Sequence, residues 1–228
     1  MPLVTDHAVV VGNGPAPSRS LLVGLLEQGG LLLCADGGAN TIAGHGLVPD
    51  AVVGDLDSVD SSLQQRWTKT KWVKVDADDT GTDLQKVLDH AHQRQVRSAV
   101  LTGVTGARTD HTLWNLSLLG RFADRLDLAI VDDDCLIRLI SGLVRFEAPL
   151  GLKLSLCPLA GPVDGITTQG LRWSLNEDRL VPGERDGISN ETVDSTVEIR
   201  VDGAGHLLLI VQWAGQIDLS LIPRTAPD

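Results

Sequence analysis

The sequence is poor in cysteine, in positive charge and in long hydrophobic runs. Its three cysteines, Cys34, Cys135 and Cys157, are an odd number without paired C-x-x-C spacing. This pattern argues against a disulfide framework and against a zinc site, and it suits reduced thiols that pack as small apolar side chains. We therefore expect a protein of the reducing cytoplasm.

Basic residues are scarce, since 19 lysines and arginines face 30 aspartates and glutamates, for a formal net charge of −11. That charge disfavours nonspecific binding to nucleic acid or to an anionic membrane. The N-terminal stretch MPLVTDHAVVVGNGP contains no basic leader, and no later segment has the uncharged length of a membrane helix. We expect no nucleic-acid or membrane partner. If this acidic protein binds a phosphate compound, it needs a cation to offset the repulsion between like charges.

Several motifs are missing as well. The sequence has no internal repeat and no coiled-coil heptad, which argues against solenoid and filament folds. None of its glycine-rich segments fits G-x-G-x-x-G or the P-loop pattern that ends in Gly-Lys-Ser/Thr. NAD binding and P-loop chemistry are therefore disfavoured.

The first two thirds of the sequence alternate short apolar runs with segments of helical periodicity, which is typical of βαβ units. In residues 83–94, apolar residues recur at three- and four-residue spacing and predict one buried helix face. A second helix is expected from Asp110. The apolar runs, among them 8–11, 31–35, 51–53 and 99–102, predict an α/β domain with a doubly wound, mostly parallel sheet whose ligands lie at the strands' C-terminal ends.

The last third has a different pattern. From about Phe146, proline and glycine interrupt short segments, and alternating apolar residues flank a turn at 202–205, which predicts a β-hairpin. We expect a smaller antiparallel β-sandwich domain here. The predicted domains are 1–143 and 144–228, with a linker within 141–151.

Clusters of Gly, Asp and Asn follow four of five predicted strands, where the loops of a parallel sheet converge. Glycine lets backbone N–H groups approach phosphate oxygens closely. A plain βα turn explains any single loop equally well, but together the loops predict a phosphate-binding crevice. The clusters lie at 12–15, 35–40, 54–58 and 103–108.

Two acidic clusters suggest a metal site. Asp55 and Asp57 lie two residues apart after an apolar run, where an extended backbone directs both carboxylates the same way. Such carboxylates, with water and substrate phosphates, suit Mg²⁺, although capping of a helix by one aspartate and solvation of the other is an alternative. The second cluster has more charge than capping of the next helix needs, which favours a bound metal or a cationic substrate. It consists of Asp76, Asp78, Asp79 and Asp83.

Arg108 lies in a glycine-rich loop just before a predicted helix, where its guanidinium can make bidentate bonds to phosphate oxygens. Asp110 is either a helix cap or a catalytic group, and the sequence leaves both open. His111 and Asn115 share a helix face because they are four residues apart. His111 either contacts a nucleotide or packs.

Taken in order, these motifs resemble the thiamine pyrophosphokinase family over nearly the whole chain. The matching segments are DGGAN at 36–40, GDLDS at 54–58, Asp78 with TDLQK at 82–86, GARTDH at 106–111 with Asn115, GLRWSL at 170–175, and ISNE at 188–191. Some relatives have a further acidic residue between the positions of Asp78 and Thr82, where this sequence has Thr80 and Gly81 beside an extra Asp79. The metal ligands of this stretch therefore stay open.

The resemblance implies an α/β domain that binds ATP and magnesium, a β domain that helps to bind thiamine, and a homodimer with active sites near the subunit interface. By position, it implies metal binding by Asp55, Asp57, Asp78 and Asp83, ATP binding by Asp36, Asn40, Lys86, Arg108, Asp110 and His111, and thiamine binding by Trp173, Ser189 and Asn190. It implies catalytic roles for Asp57, Asp83 and Arg108. A tryptophan face can stack on a cationic ring, and a core position in the sheet is the alternative for Trp173.

The implied reaction is transfer of the diphosphate of ATP to the thiamine hydroxyl, with Mg²⁺ as cofactor and AMP as the second product. Asp83 and Asp57 are candidate bases, and the sequence does not choose between them. Two alternatives stay open: a diphosphokinase for another hydroxymethyl heterocycle such as a pterin, and a noncatalytic sensor of nucleotide or thiamine diphosphate. Trp173 and residues 189–190 favour thiamine, and the carboxylate set favours an enzyme.

Overall fold

The computed structural model describes residues 6–76 and 81–212, which pack into two compact units. The first contains the described residues up to Leu118 together with Asp124–Asp132, and the second contains Leu119–Ala123 and the described residues from Asp133 onward. None of the helices in these ranges is long and apolar enough to cross a membrane.

Strands and helices alternate along the first unit. They are β1 (His7–Val11), α1 (Arg19–Leu26), β2 (Leu31–Ala35), α2 (Gly38–Gly44), β3 (Ala51–Gly54), α3 (Ser61–Arg66), β4 (Lys71–Lys74), α4 (Asp83–Gln93), β5 (Ser98–Thr102), α5 (Thr109–Arg121) and β6 (Asp127–Val131). This order confirms the βαβ pattern predicted from the apolar runs.

The strands of the first unit pair in parallel, in the order β4-β3-β2-β1-β5-β6. All five residues of β1 are buried, as expected for a central strand that is covered on both faces. Since β2 and β5 flank β1 on opposite sides, the chain connections that follow β1 and β5 lead to opposite sides of the sheet, which predicts a crevice at the carboxyl edge. The predicted doubly wound parallel sheet is confirmed.

Helix α4 presents the buried face predicted from its spacing, with Leu84, Val87, Leu88 and Ala91 inside. Thr82 caps the helix, because its Oγ1 accepts a hydrogen bond of 3.4 Å from the Gln85 backbone N–H. The cap places Asp83 in the first turn, where the partial positive charge of the helix N-terminus stabilises a carboxylate.

The strands of the second unit form two antiparallel sets within the described residues, in the orders β12-β9-β14-β7 and β11-β10-β13-β8. This confirms the predicted β-sandwich domain. Its strands are β7 (Cys135–Ile140), β8 (Gly142–Glu147), β9 (Lys153–Leu159), β10 (Val163–Gln169), β11 (Asp178–Leu180), β12 (Gly187–Glu191), β13 (Thr196–Val201) and β14 (His206–Gln212).

The predicted hairpin around residues 202–205 is wrong. β13 pairs with β8 and β10, whereas β14 pairs with β7 and β9, so the turn carries the chain from one sheet to the other. Gly203 packs directly on β10, where an added Cβ would lie 2.5 Å from the carbonyl oxygen of Asp164. β13 alternates in burial along its length, whereas Leu207, Leu208 and Leu209 of β14 are all buried.

The predicted linker within 141–151 is occupied by β8, which pairs with β13 along its length. By packing, the second unit also includes β7, because β7 pairs with β14 from Cys135 to Ile140. The ranges 1–143 and 144–228, as ATP-binding and thiamine-binding parts, stay a prediction.

Candidate active site

A cleft of about 450 Å³ opens in the first unit at the C-terminal ends of its strands. The loops after β1, β2, β3 and β5 line it together with the start of α4, so the clusters predicted at the strand ends do meet. Predicted site residues among its lining are Asp36, Asp55, Asp83, Lys86, Arg108 and His111.

The floor of the cleft is formed where the loops after β1 and β5 touch. The backbone N–H of Gly12 donates to the Thr102 carbonyl at 2.9 Å, and that of Gly14 donates to the Gly103 carbonyl at 2.8 Å. A Cβ at Gly12 would lie 2.7 Å from the Gly103 carbonyl oxygen. Glycine is therefore required for the two loops to approach so closely.

Three carboxylates converge beside this cleft, and two of them, Asp36 and Asp55, line it. Asp36, Asp55 and Asp57 each offer an oxygen within 4.8 Å of the others, which is the spacing of a shared cation. The Asp57 N–H donates to Asp55 Oδ1 at 3.3 Å and thereby fixes the short turn. Neither residue caps a helix, because Asp60 caps α3 instead, so the capping alternative is excluded.

Asp36 has the environment expected of a metal ligand. It is only 3 % exposed, and among the described residues its Oδ1 has no hydrogen-bond partner. Burial raises the pKa of its carboxyl, and the negative charges of Asp83 and Asp55 raise it further. A divalent cation would satisfy the unpaired oxygen and offset the crowded negative charge.

Asp83 and Lys86 lie together at the start of α4. The Lys86 ammonium is 3.3 Å from Asp83 Oδ1, and the lysine side chain is only 9 % exposed. The same Asp83 oxygen is 3.3 Å from the position of a Cβ on Gly54, which connects this pair to the end of β3. Asp78, the fourth predicted metal ligand, lies outside the described residues.

Arg108 and Asp110 form a bidentate ion pair at the mouth of the cleft. Arg108 Nε donates to Asp110 Oδ1 at 3.2 Å, and its Nη2 donates to Oδ2 at 2.6 Å. This hydrogen bond lowers the pKa of the Asp110 carboxyl to about 2, so the pair stays ionised at neutral pH. Asp110 is the second residue of α5, so it is not the cap of that helix.

Two asparagines hold the walls of the cleft. The Asn40 side-chain amide donates to the Ser58 carbonyl at 2.8 Å and accepts from the Asp60 N–H at 2.9 Å, so it fastens the loop after β3. Asn40 is not part of the cleft lining. Asn115 is buried and donates to the Val104 carbonyl at 2.7 Å, which ties α5 to the loop after β5.

The residues predicted to bind thiamine lie together in the second unit. Trp173 is 57 % exposed, so its alternative as a core residue is wrong. Asn190 is buried and accepts from the Trp173 N–H at 3.1 Å while donating to the Trp173 carbonyl at 2.8 Å. Ser189 is exposed and has a positive φ of 61°. Asn190 therefore fixes the backbone that presents the Trp173 side chain.

Comparison with known proteins agrees with this arrangement. Residues 23–131 match the family model of the thiamin pyrophosphokinase catalytic domain, and residues 144–204 match that of its vitamin B1 binding domain. Thiamine pyrophosphokinase 2 of Arabidopsis thaliana is 30 % identical over 226 residues, which cover 87 % of this chain and 84 % of the plant protein. The chain belongs to the thiamine pyrophosphokinase family.

Solved structures of thiamine pyrophosphokinases share the fold. The enzyme from Bacillus subtilis superposes with a TM-score of 0.79 at 25 % identity, over 90 % of this chain and 98 % of that one. The enzyme from Geobacillus thermodenitrificans gives 0.79 at 26 % identity, over 94 % and 99 %. The catalytic-domain match spans the cleft residues from Asp36 to Arg108, and the vitamin B1 domain match spans Trp173 to Asn190.

Sequence reasoning missed Asp132, which organises a loop of this thiamine pyrophosphokinase fold. It follows β6, and its carboxylate accepts from the Gly103 N–H at 3.0 Å, from Thr102 Oγ1 at 3.3 Å and from the Thr105 hydroxyl. These bonds hold the loop after β5 against the sheet. The run of three aspartates at 132–134 directly after an apolar stretch was the available signal.

Replacing Asp132 with alanine is expected to lower the free energy of unfolding by about 1–3 kcal/mol, because three donors lose their acceptor. The loop that carries Arg108 should also loosen, which raises KM for ATP. Urea unfolding and steady-state kinetics measure the two effects. Asp134→Ala is the matched control, since Asp134 is exposed, and an equal loss in both variants would contradict the role given to Asp132.

Proposed function

We propose that this protein transfers the diphosphate of ATP to the hydroxyl of thiamine and releases AMP, with magnesium as its cofactor. The observation that carries the proposal is the convergence of the Asp36, Asp55 and Asp57 carboxylates with Arg108 around one cleft of the matched catalytic domain. The cleft volume of about 450 Å³ lies in the range of small-molecule sites.

Asp36, Asp55 and Asp57 fit magnesium and would hold it, because hard carboxylate oxygens are its preferred protein ligands. The unpaired buried Oδ1 of Asp36 is the structural support for this assignment. Bound magnesium would neutralise phosphate oxygens and make the attacked phosphorus more electrophilic. Asp83, 3.3 Å from the Lys86 ammonium, belongs to the same acidic wall, and Asp78 is proposed as a further ligand from the resemblance alone.

The remaining residues of the cleft bind and orient the triphosphate. Arg108, held by Asp110, offers further N–H donors to phosphate oxygens, and the largely buried Lys86 side chain offers an ammonium. His111 is proposed to contact the nucleotide, and Asn40 supports the site by holding the loop after β3. Positioning and charge stabilisation supply most of the rate enhancement in phosphoryl transfer. Asp57 and Asp83 both stay candidates for the acceptor of the hydroxyl proton.

Thiamine is proposed to stack on Trp173, with Ser189 beside it. An exposed indole whose backbone is clamped by Asn190 is suited to a cationic thiazolium ring. The match to a vitamin B1 binding domain supports thiamine over a pterin acceptor. The set of carboxylates supports an enzyme over a noncatalytic sensor.

We also propose that the protein is a homodimer with active sites near the subunit interface, and that it works in the cytoplasm. Leu113 and Trp114 on α5 are 65 % and 44 % exposed, and large apolar side chains on a helix surface support self-association. Light scattering coupled to gel filtration is expected to give twice the monomer mass. A monomeric mass at micromolar concentration would contradict this part.

The reaction is tested by incubating the purified protein with thiamine, ATP and Mg²⁺ and separating the products by chromatography. We expect AMP and thiamine diphosphate in equal amounts, and neither product with EDTA; without thiamine no thiamine diphosphate forms. Release of AMP only with a hydroxymethylpterin would overturn the assignment of thiamine as the diphosphate acceptor. No release of AMP with any acceptor would favour the sensor.

A further inference from the structure

The backbone of Trp173 is rigidly held, although its ring is exposed. The side-chain amide of Asn190 forms hydrogen bonds with both the N–H and the carbonyl of Trp173. Its Oδ1 also accepts a hydrogen bond of 2.9 Å from the Glu191 N–H. The neighbouring Arg172 N–H donates to the Glu191 carbonyl at 2.9 Å. Only the side-chain torsions of Trp173 are left to be fixed.

Arg172 contacts the ring that these bonds present. Its guanidinium carbon lies 5.6 Å from the centre of the Trp173 ring, within the range of a cation–π contact. The guanidinium is itself anchored, because its Nη1 is 2.9 Å from Glu191 Oε1. The other carboxylate oxygen of Glu191 accepts a hydrogen bond from the ammonium of Lys153 on β9. One face of the indole is therefore covered by an arginine that Glu191 holds in place, and Lys153 holds Glu191 in turn.

We propose that Arg172 is a positioning residue for Trp173, which it holds in one rotamer by covering one ring face, so that a cationic heteroaromatic substrate stacks on the opposite face. The inference rests on the proposed binding of thiamine. Glu191 offsets part of the positive charge of Arg172 and Lys153, which reduces the repulsion of a thiazolium ring across the indole. A ring that is already ordered loses less side-chain entropy when the substrate stacks.

Two measurements test this role. With 5-fluorotryptophan incorporated, the ¹⁹F resonance of Trp173, assigned by its loss in Trp173→Phe, should shift in Arg172→Ala without any substrate present. In steady-state assays Arg172→Ala should raise KM for thiamine about three- to tenfold, while kcat and KM for ATP stay within about twofold. Arg172→Lys keeps the cation but not the planar fork, so it should restore part of the loss.

A double-mutant cycle shows whether Arg172 acts through the ring. In a Trp173→Leu background, Arg172→Ala should change KM for thiamine less than about twofold, because the ring that it holds is gone. Arg179→Ala is the matched control, since Arg179 is a similarly exposed arginine paired with an acidic residue of the same unit, Asp164. It should leave KM for thiamine unchanged.

An unshifted Trp173 resonance in Arg172→Ala would overturn the proposal. Equal increases of KM in both backgrounds would also overturn it, because Arg172 would then act without the ring. If the wild-type protein forms no thiamine diphosphate, the proposed function fails instead, and the fluorine spectrum alone decides whether Arg172 holds the ring.

Discussion

Replacing Asp57 with asparagine is expected to lower kcat/KM for ATP by about a hundredfold or more while the protein stays folded. Asp57 is one of three carboxylates whose oxygens lie within 4.8 Å of one another. A neutral amide oxygen binds a divalent cation more weakly than a carboxylate does. The magnesium concentration that gives half-maximal rate should therefore rise, which a titration of the steady-state rate measures.

Stability separates this effect from misfolding. In EDTA, the Asp57→Asn protein should melt no lower than the wild type, because loss of one of three close negative charges relieves repulsion. Asparagine also keeps an Oδ1 that can accept the 2.9 Å hydrogen bond from the Ser58 hydroxyl. A lower melting temperature in EDTA would show that the carboxylate has a structural role.

Asp60→Asn is the matched control for this loop. Asp60 is exposed and caps α3 by accepting from the Ser62 N–H at 2.9 Å. Asparagine caps a helix about as well as aspartate, so turnover and melting temperature should not change. Near-normal turnover in Asp57→Asn, or an equal loss in Asp60→Asn, would contradict the assignment of Asp57 as a metal ligand.

The convergence of the cleft residues followed from the sequence because parallel strands end at the same edge of a sheet. Once the apolar runs are read as strands, Asp36 after β2 and Asp55 after β3 must come close, whatever the exact twist. The buried face of α4 was predictable for a similar reason, since local periodicity fixes which residues point inward. Both inferences use only local pattern and one topological rule.

The wrong hairpin and the missed Asp132 depend on contacts between distant segments. The apolar residues on either side of 202–205 predict two strands, but they do not say which strands these pair with. The acceptor role of Asp132 joins β6 to a loop about thirty residues earlier, which no short motif encodes. Likewise, the sequence shows that Asn190 is polar, but it does not show that the side-chain amide forms hydrogen bonds with the Trp173 backbone.

The second large effect is expected at Arg108, the arginine that lines the cleft and is held by Asp110. Two of its five N–H donors are used by the carboxylate, at 3.2 and 2.6 Å, and the others are left for a ligand. The pKa of the Asp110 carboxyl falls from 3.8 to about 2, so this pair is intact above pH about 4 and is lost only as pH falls through about 2. The orientation of Arg108 should therefore not vary between about pH 5 and 9.

Arg108→Ala should lower kcat by about 100- to 1000-fold, because charge that develops on the transferred phosphates loses a fixed donor. Arg108→Lys should recover only part of that loss, since an ammonium cannot replace the planar fork. Asp110→Asn should lower kcat less, by about tenfold. The ratio of its kcat to that of the wild type should be constant between about pH 5 and 9. Arg125→Ala, which breaks the 3.2 Å ion pair with Asp89 elsewhere in the unit, is the control that should keep full turnover. If Arg108→Ala and Arg125→Ala had equal turnover, Arg108 would be no more than one partner of a surface ion pair, and the phosphates would have to be bound by Lys86 and the glycine loops alone.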